Sequence, residues 1–226
     1  MTVLAIIPAR GQSKGVKRKN LYPLRDKPLI FWTIQAAQKS SAVSEVVVST
    51  EDTEIAETAR SLGVANPIIR PPELAEDTTP GVDPIIHAAE TRPNFSWLLV
   101  LQPTSPMRSV EDIEGILEFQ RHTGADSVVS VTPVEDNPQL FFSLQKDHTL
   151  SPLMAESFQM NRRQDVPKFH KLNGAMYLVS RAWLLKNRTL VAPSTLGYEM
   201  PIERSIDIDT YEDFVLAETL MGAVHG

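Results

Sequence analysis

In Val3-Leu4-Ala5-Ile6-Ile7-Pro8-Ala9-Arg10-Gly11-Gln12-Ser13-Lys14-Gly15-Val16-Lys17-Arg18-Lys19-Asn20, a short apolar run breaks into a loop of opposite character. Arg10, Lys14, Lys17, Arg18 and Lys19 fall within ten positions, with Gly11, Ser13 and Gly15 among them. Glycine lets backbone N–H groups turn inward where a side chain would clash. Inward N–H groups form an anion nest, and lysines beside it add full charge. The loop therefore reads as a cradle for a polyphosphate or, on composition alone, as a solvated basic turn. No Gly-Lys-Ser/Thr follows at Walker spacing, and the Gly-x-Gly-x-x-Gly dinucleotide turn is absent. Contrast favours the cradle: the chain as a whole is acidic, with 22 Lys+Arg against 28 Asp+Glu. A basic patch just after an apolar strand is where an open α/β sheet places its ligand.

Strand and helix patterns alternate along the remainder, which predicts βαβ units on a mainly parallel sheet. Val3–Ile7, Glu45–Thr50, a short piece near Pro67–Arg70, Trp97–Leu101, Ser127–Thr132, Gly174–Val179 and Ser205–Ile208 read as strands. Between them, Ile30, Ile34 and Ala37, then Ile55, Ala59 and Leu62, recur at helical spacing. The same spacing holds for Val82, Ile85, Ile86 and Ala89, and for Ile113, Ile116 and Leu117. A short helix is expected near Arg181–Lys186, and a last one with Phe214, Ala217 and Met221 inward. Pro28 opens the first helix. Asp52 caps the second, Ser109 with Asp112 makes a capping box, and Thr210 caps the last. The 226 residues suit one domain, 1–226. Only residues 135–172 lack a period, and they read as a dimerisation excursion or a ragged loop.

No apolar run approaches the roughly 20 residues of a membrane span, and no basic segment precedes the first apolar stretch. With no cysteine the chain has no disulfide, which fits a cytoplasmic location. A net charge of −6 and the lack of aromatics among the basic residues argue against a nucleic-acid partner.

Two aspartates near the other end carry the second signal. In Ser205-Ile206-Asp207-Ile208-Asp209-Thr210 an extended backbone would put both carboxylates on one face, with the isoleucines inward. Adjacent carboxylates repel unless a cation lies between them. Oxygen ligands alone suit Mg²⁺, which fills its shell with water and substrate phosphates. The alternative is one capping aspartate and one solvated one.

Ile7 to Asn20 resembles the signature of the CMP-sialic acid synthetases, the acylneuraminate cytidylyltransferases, and further matches extend over nearly the whole chain. The resemblance implies a Rossmann-like nucleotidyltransferase fold with an irregular dimerisation arm, and a homodimer. It implies CTP and a nine-carbon 2-keto sugar acid as substrates, giving the CMP-sugar and pyrophosphate. On this reading Ala9, Arg10, Gly11, Ser13, Lys14 and Asn20 hold the nucleotide, with Arg70 and Asp77 around the cytosine and ribose. Arg10, Lys14 and Lys19 offset charge on the departing pyrophosphate, and Asp207 and Asp209 hold Mg²⁺. Gln102, Thr104, Ser105, Arg163, Lys171, Asn173 and Tyr177 reach the acceptor. No histidine stands in these motifs, which leaves Asp209 or a metal-linked water as the base.

Three positions depart from the family pattern. Gly81 replaces a nucleotide-holding serine of some members, and Lys171 replaces an arginine, which keeps the charge but loses the fork. Thr189-Leu190-Val191 replaces an aromatic pair, which implies smaller acceptor walls and a legionaminate-like sugar. The other expectations kept open are a cytidylyltransferase for 3-deoxy-octulosonate or a sugar phosphate, and a catalytically silent nucleotide-binding module.

Overall fold

The computed structural model describes residues 1–134, 136–154 and 168–223. The first half runs β1 (Val3–Pro8), β2 (Pro23–Leu24), β3 (Lys27–Pro28), α1 (Leu29–Lys39), β4 (Glu45–Thr50), α2 (Thr53–Ser61), β5 (Ile68–Ile69), α3 (Asp83–Thr91) and β6 (Trp97–Leu101). The second half runs α4 (Val110–Thr123), β7 (Ser127–Pro133), β8 (Phe142–Leu144), β9 (Leu150–Pro152), β10 (His170–Ser180), α5 (Arg181–Asn187), β11 (Leu196–Glu199) and α6 (Tyr211–Ala223).

Seven strands form one sheet in the order β11-β7-β10-β6-β1-β4-β5. All neighbours are parallel except β10, which runs antiparallel to both β6 and β7. The expected α/β fold with a mainly parallel sheet is therefore present. Its interior strand β1, beside the central β6, is buried from Leu4 to Ile7, as a strand covered on both faces must be. Alternate side chains feed two cores. Ala5 and Ile7 pack with Ile30 and Ile34 of α1 and Ile113 and Ile116 of α4. Leu4 and Ile6 pack on the other face with Ile85 and Ile86 of α3 and Leu184 of α5.

The caps form as the sequence predicts. Asp52 accepts from Ile55 N at 3.0 Å, and Ser109 and Asp112 complete a capping box on α4. Gly124 ends that helix at φ 67°, a left-handed turn that favours glycine. Thr210 Oγ1 accepts from Asp213 N, and Asp213 Oδ2 accepts from Thr210 N.

Three elements differ from expectation. Ser205–Ile208 is not a strand; after a 3₁₀ turn at Ile202–Arg204 the chain runs irregularly to Asp209. Its β-like alternation is used by side-chain tethers instead of a ladder. The edge strand β11, hidden among Pro193, Thr195 and Gly197, takes the last sheet position. Within the excursion, β8 and β9 pair as a hairpin. Among the described residues, no helix is long and apolar enough to cross a membrane.

A third apolar cluster welds the basic loop to the far end of the chain. Val16, Leu24 and Leu29 pack with Ile208, Phe214, Ala217 and Met221. Tyr22 meets the edge of Phe214 at 4.8 Å. Burying one such large side chain contributes about 1.5–3 kcal/mol. The loop and α6 are thus held together by ordinary hydrophobic packing, before any ion pair is counted.

Candidate active site

Chain order reverses direction at the centre of the sheet: β1 is followed outward by β4 and β5 on one side, while β6 lies on the other. The carboxyl ends of β1 and β6 open a crevice there, the usual ligand position in such sheets. The crevice is a cavity of about 350 Å³ walled by Arg10, Ser13, Lys14 and Lys19 on one side and Gln102, Thr104 and Asp209 on the other.

Lys19 spans it. Its side chain is only 13% exposed, and Nζ donates to Ile208 O at 2.7 Å and to Asp209 Oδ1 at 2.8 Å. The amino-end cations and Asp209 of the carboxyl end therefore meet in one cleft, and Asp207 lies on the wall of the cavity beside it. Arg10 and Lys14 face the same space, each paired with Asp77, at 2.7 and 3.3 Å. These pairs are largely exposed, so they contribute little to stability and can exchange Asp77 for another anion.

The loop is held from behind by an acidic wall at the end of β4. Glu51 accepts from Gly11 N at 2.7 Å and from Arg70 Nε and Nη2 at 3.1 and 2.9 Å. Arg18 pairs with Asp52 and Glu54, which holds the Asp52 carboxyl below the ordinary range. Asn20 Nδ2 donates to Arg10 O, and Ser13 Oγ receives Lys19 N. Two expected nest donors are thereby committed elsewhere: Ala9 N bonds Ser49 O, and Gly11 N bonds Glu51. The glycines serve close approach instead. A Cβ on Gly11 would overlap the Asp52 carboxylate, and one on Gly15 would overlap the Asp209 carbonyl oxygen. Gly15→Ala should therefore push the loop off the aspartate segment. Overpacking of this kind costs about 1–3 kcal/mol; urea unfolding and turnover should both register the loss.

The aspartate segment lacks ladder bonds, so side chains fix it. Arg204 donates through Nε and Nη2 to Asp112, both at 2.8 Å. Asn173 Nδ2 donates to Ser205 Oγ at 2.9 Å, and its Oδ1 accepts from Ser130 Oγ at 2.6 Å. Ile208 N donates to Thr104 O at 2.8 Å. Asn173 is thus occupied inside the protein. Asp207 keeps an exposed edge, yet restricted hydration raises its carboxyl above the ordinary range. Asp209's charge pushes the same way, while Thr104's hydroxyl bond and Lys19 pull back. Two oxygen ligands in mutual repulsion fit a divalent cation. Among the described residues no third acidic or histidine ligand joins them, so phosphate and water oxygens would complete the shell, as Mg²⁺ prefers.

The other expected residues divide. Gln102 and Thr104 line the cleft. Ser105 is buried, and its Oγ has no hydrogen-bond partner among the described residues. Lys171 is exposed on the wall of a neighbouring cavity. Tyr177 packs against the second core, and burial raises its hydroxyl's pKa. Arg70 is buried behind the loop, and Arg163 lies outside the described residues. Leu190 O accepts from Ser127 Oγ at the amino end of β7, the sheet edge opposite the cleft. Within one chain, Thr189 to Val191 do not wall an acceptor pocket there.

The sequence reading missed the supports. Arg108 is 3% exposed; it donates to Ala175 O, Gln102 O and Thr33 Oγ1, and burial lowers its pKa to about 9. Glu51 and Arg204 complete the set, while Asp52 and Asp112, expected only as caps, each hold an arginine as well. The available signal was position: Glu51 and Asp52 directly follow a predicted strand's carboxyl end.

Residues 4–218 match the family described as cytidylyltransferase. The CMP-N,N'-diacetyllegionaminic acid synthase of Legionella pneumophila subsp. pneumophila is 36% identical over 98% of this chain and 97% of its own length. The N-acylneuraminate cytidylyltransferase of Escherichia coli O18:K1:H7 is also 36% identical, over 96% of this chain but 52% of its own length. The solved CMP:2-keto-3-deoxy-manno-octonic acid synthetase complexed with CTP superimposes with a TM-score of 0.76 at 17% identity, covering 99% of this chain and 100% of that one; at that identity the likeness concerns the fold.

Proposed function

From the premise that this chain belongs to the cytidylyltransferase family, we propose that it transfers CMP from CTP to a nine-carbon 2-keto sugar acid of the N-acylneuraminate or legionaminate type. The acceptor's anomeric hydroxyl attacks the α-phosphorus and gives up its proton to Asp209 or to a water, the bond from the α-phosphorus to the bridging oxygen of the β-phosphate breaks, and pyrophosphate leaves. The relatives that act on such acids, at 36% identity over nearly the whole chain, support the acceptor class. The observation that carries the site is Lys19, which joins the basic loop to Asp209 across the cleft.

Phosphoryl transfer relies chiefly on positioning and electrostatics. Arg10 and Lys14 exchange Asp77 for the β- and γ-phosphates, which frees Asp77 for the ribose. Lys19, fixed by Ile208 O, presents its charge to the phosphate oxygens. Ala9, Gly11, Ser13 and Asn20 shape the loop around the nucleotide, and Arg70 supports it through Glu51. Gln102, Thr104 and Ser105 form the floor beneath the acceptor, and Lys171 faces its carboxylate; Arg163, outside the described residues, is assigned to the same acceptor by the resemblance alone. Asn173 and Tyr177 support that floor from β10. Asp207 and Asp209 would hold Mg²⁺, which neutralises charge developing at the α-phosphate.

Pyrophosphate release should be measured with CTP over an acceptor panel. Turnover with N-acetylneuraminate or N,N'-diacetyllegionaminate, and none with 3-deoxy-octulosonate or sugar 1-phosphates, is expected. CTP binding without release on any acceptor would instead mark a silent nucleotide-binding module.

The same reading takes 1–226 as one catalytic domain in a cytoplasmic homodimer. Leu140, Phe141, Leu144, Leu150 and Leu153 are all exposed on or beside the β8–β9 hairpin. An apolar group of this kind marks an interaction surface. The double substitution Leu144→Asp with Leu150→Asp should convert a dimer to a monomer in sedimentation experiments; an unchanged mass would remove the hairpin from the interface.

A further inference from the structure

Three consecutive cations, Lys17, Arg18 and Lys19, leave the basic loop in different directions. Lys17 is exposed. Lys19 enters the cleft and reaches Ile208 O and Asp209. Arg18 goes behind the loop instead. Its Nη1 and Nη2 donate to the two carboxylate oxygens of Asp52, Nη2 at 3.1 Å, and Nη2 also donates to Glu54. The backbone explains the divergence. Arg18 stands at φ 57° and ψ 34°, in the left-handed region, directly before the 3₁₀ turn Lys19–Leu21. Its carbonyl accepts from Leu21 N at 2.8 Å and from Tyr22 N at 3.0 Å, so that turn closes on Arg18 itself. Lys19 N donates back to Ser13 Oγ at 3.3 Å. The direction in which Lys19 leaves the main chain is thus set one residue earlier.

A residue with a Cβ enters the left-handed region against steric resistance, which glycine escapes and asparagine tolerates. An arginine there needs a hold, and Asp52 supplies it through a two-pronged, charge-assisted pair. Asp52 is itself fixed, since the same carboxylate caps α2 by accepting from Ile55 N. The anchor is therefore the start of a helix directly after β4, not another loop. Arg25, His148 and Arg188 also have positive φ, all on exposed positions. Among the described residues, Arg18 is the one non-glycine of this conformation that directly precedes a cation of the cleft. We propose that Arg18 is a positioning residue for the transfer: held left-handed by Asp52 and Glu54, it aims the Lys19 ammonium across the cleft. The inference rests on the role of Lys19 given under Proposed function.

The test is a set of double-mutant cycles. Arg18→Val, Arg18→Asn and Glu54→Gln are made in wild type and in Lys19→Ala. kcat/KM for CTP is read by pyrophosphate release with N-acetylneuraminate or N,N'-diacetyllegionaminate, and melting temperatures are taken alongside. The left-handed conformation costs a side chain with a Cβ a factor of about five to thirty in population. Arg18→Val, which refuses that conformation and lacks the anchor, should lower kcat/KM by about this factor. Arg18→Asn, which adopts it without the fork, should lose distinctly less. Glu54→Gln, at an exposed position of α2, loosens the anchor without touching the loop and should show a smaller loss even if Arg18→Val folds poorly. In the Lys19→Ala background all three should be silent, because the ammonium they aim is gone; a brace of the fold alone would instead give losses that add. CTP affinity by calorimetry needs no acceptor and should follow the same order, so a wrong acceptor class leaves the test standing. Additive losses, equal losses in Arg18→Val and Arg18→Asn, or an unchanged Arg18→Val overturn the inference while leaving the role of Lys19 intact. A loss below tenfold in Lys19→Ala itself overturns both.

Discussion

Lys19→Ala is expected to lower kcat/KM for pyrophosphate release by about two to three orders of magnitude, the usual loss when one preorganised charge-stabilising donor is removed. Lys19 is the least exposed cation of the cleft, and its ammonium is fixed by a backbone carbonyl and by Asp209. It pays no reorganisation when charge builds on the phosphates. Removal also leaves Asp209 without its counter-charge, so the acidic pair repels the nucleotide more strongly. The apolar cluster of Val16, Leu24, Phe214 and Met221 is untouched, so circular dichroism and the unfolding midpoint should change little. Lys19→Arg should restore only part of the rate, because a planar fork does not reproduce a compact ammonium between two oxygens. A loss below tenfold in Lys19→Ala would show that Arg10 and Lys14 suffice.

Asp207→Asn should reduce turnover by a comparable factor and yet stabilise the free protein. The carboxyl of Asp207 is raised by restricted hydration and by Asp209. A raised folded value means the native state binds the proton more tightly than the unfolded chain does. The charged form therefore costs stability, and that cost grows as pH rises from the ordinary carboxylate range, about 4, through the raised folded value. Asparagine removes the charge at every pH. Unfolding midpoints of wild type and variant should converge in acid and separate toward neutrality, with the variant higher. A variant less stable at neutral pH would contradict the repulsion. Retained turnover would take Asp207 out of the metal site.

Most of the framework was legible in the chain. Val3–Ile7, Glu45–Thr50 and Trp97–Leu101 are apolar and short, and strands buried on both faces need that composition. Asp52, Ser109 and Gly124 act within one helical turn, so their capping roles follow from local spacing. The error at Ser205–Ile208 has the opposite cause. Alternation there is real, since Ile208 is buried and Asp207 exposed. A strand also needs a free neighbouring edge, and β11 already occupies the sheet's end. Side chains from α4 and β10 take over the task of holding it.

The candidate site was legible by residue type but not by partner. The density of cations after β1 reads as an anion site and the paired aspartates as a candidate cation site, because like charge at that density is costly without a counterpart. Which groups face the ligand and which brace the loop follows from contacts across great sequence distance. Lys19 and Asp209 stand 190 positions apart, and Arg204 and Asp112 stand 92 apart. The places of most strands and helices, the clustering of cations and aspartates and the family resemblance are determined by sequence alone, since each rests on local pattern or on residue identity. The tertiary structure alone decides that Gly11 and Asn173 serve inward and that Arg108 is a buried clamp. A hydrogen bond depends on tenths of an ångström and on direction, and those are set only when the packed cores bring remote segments together.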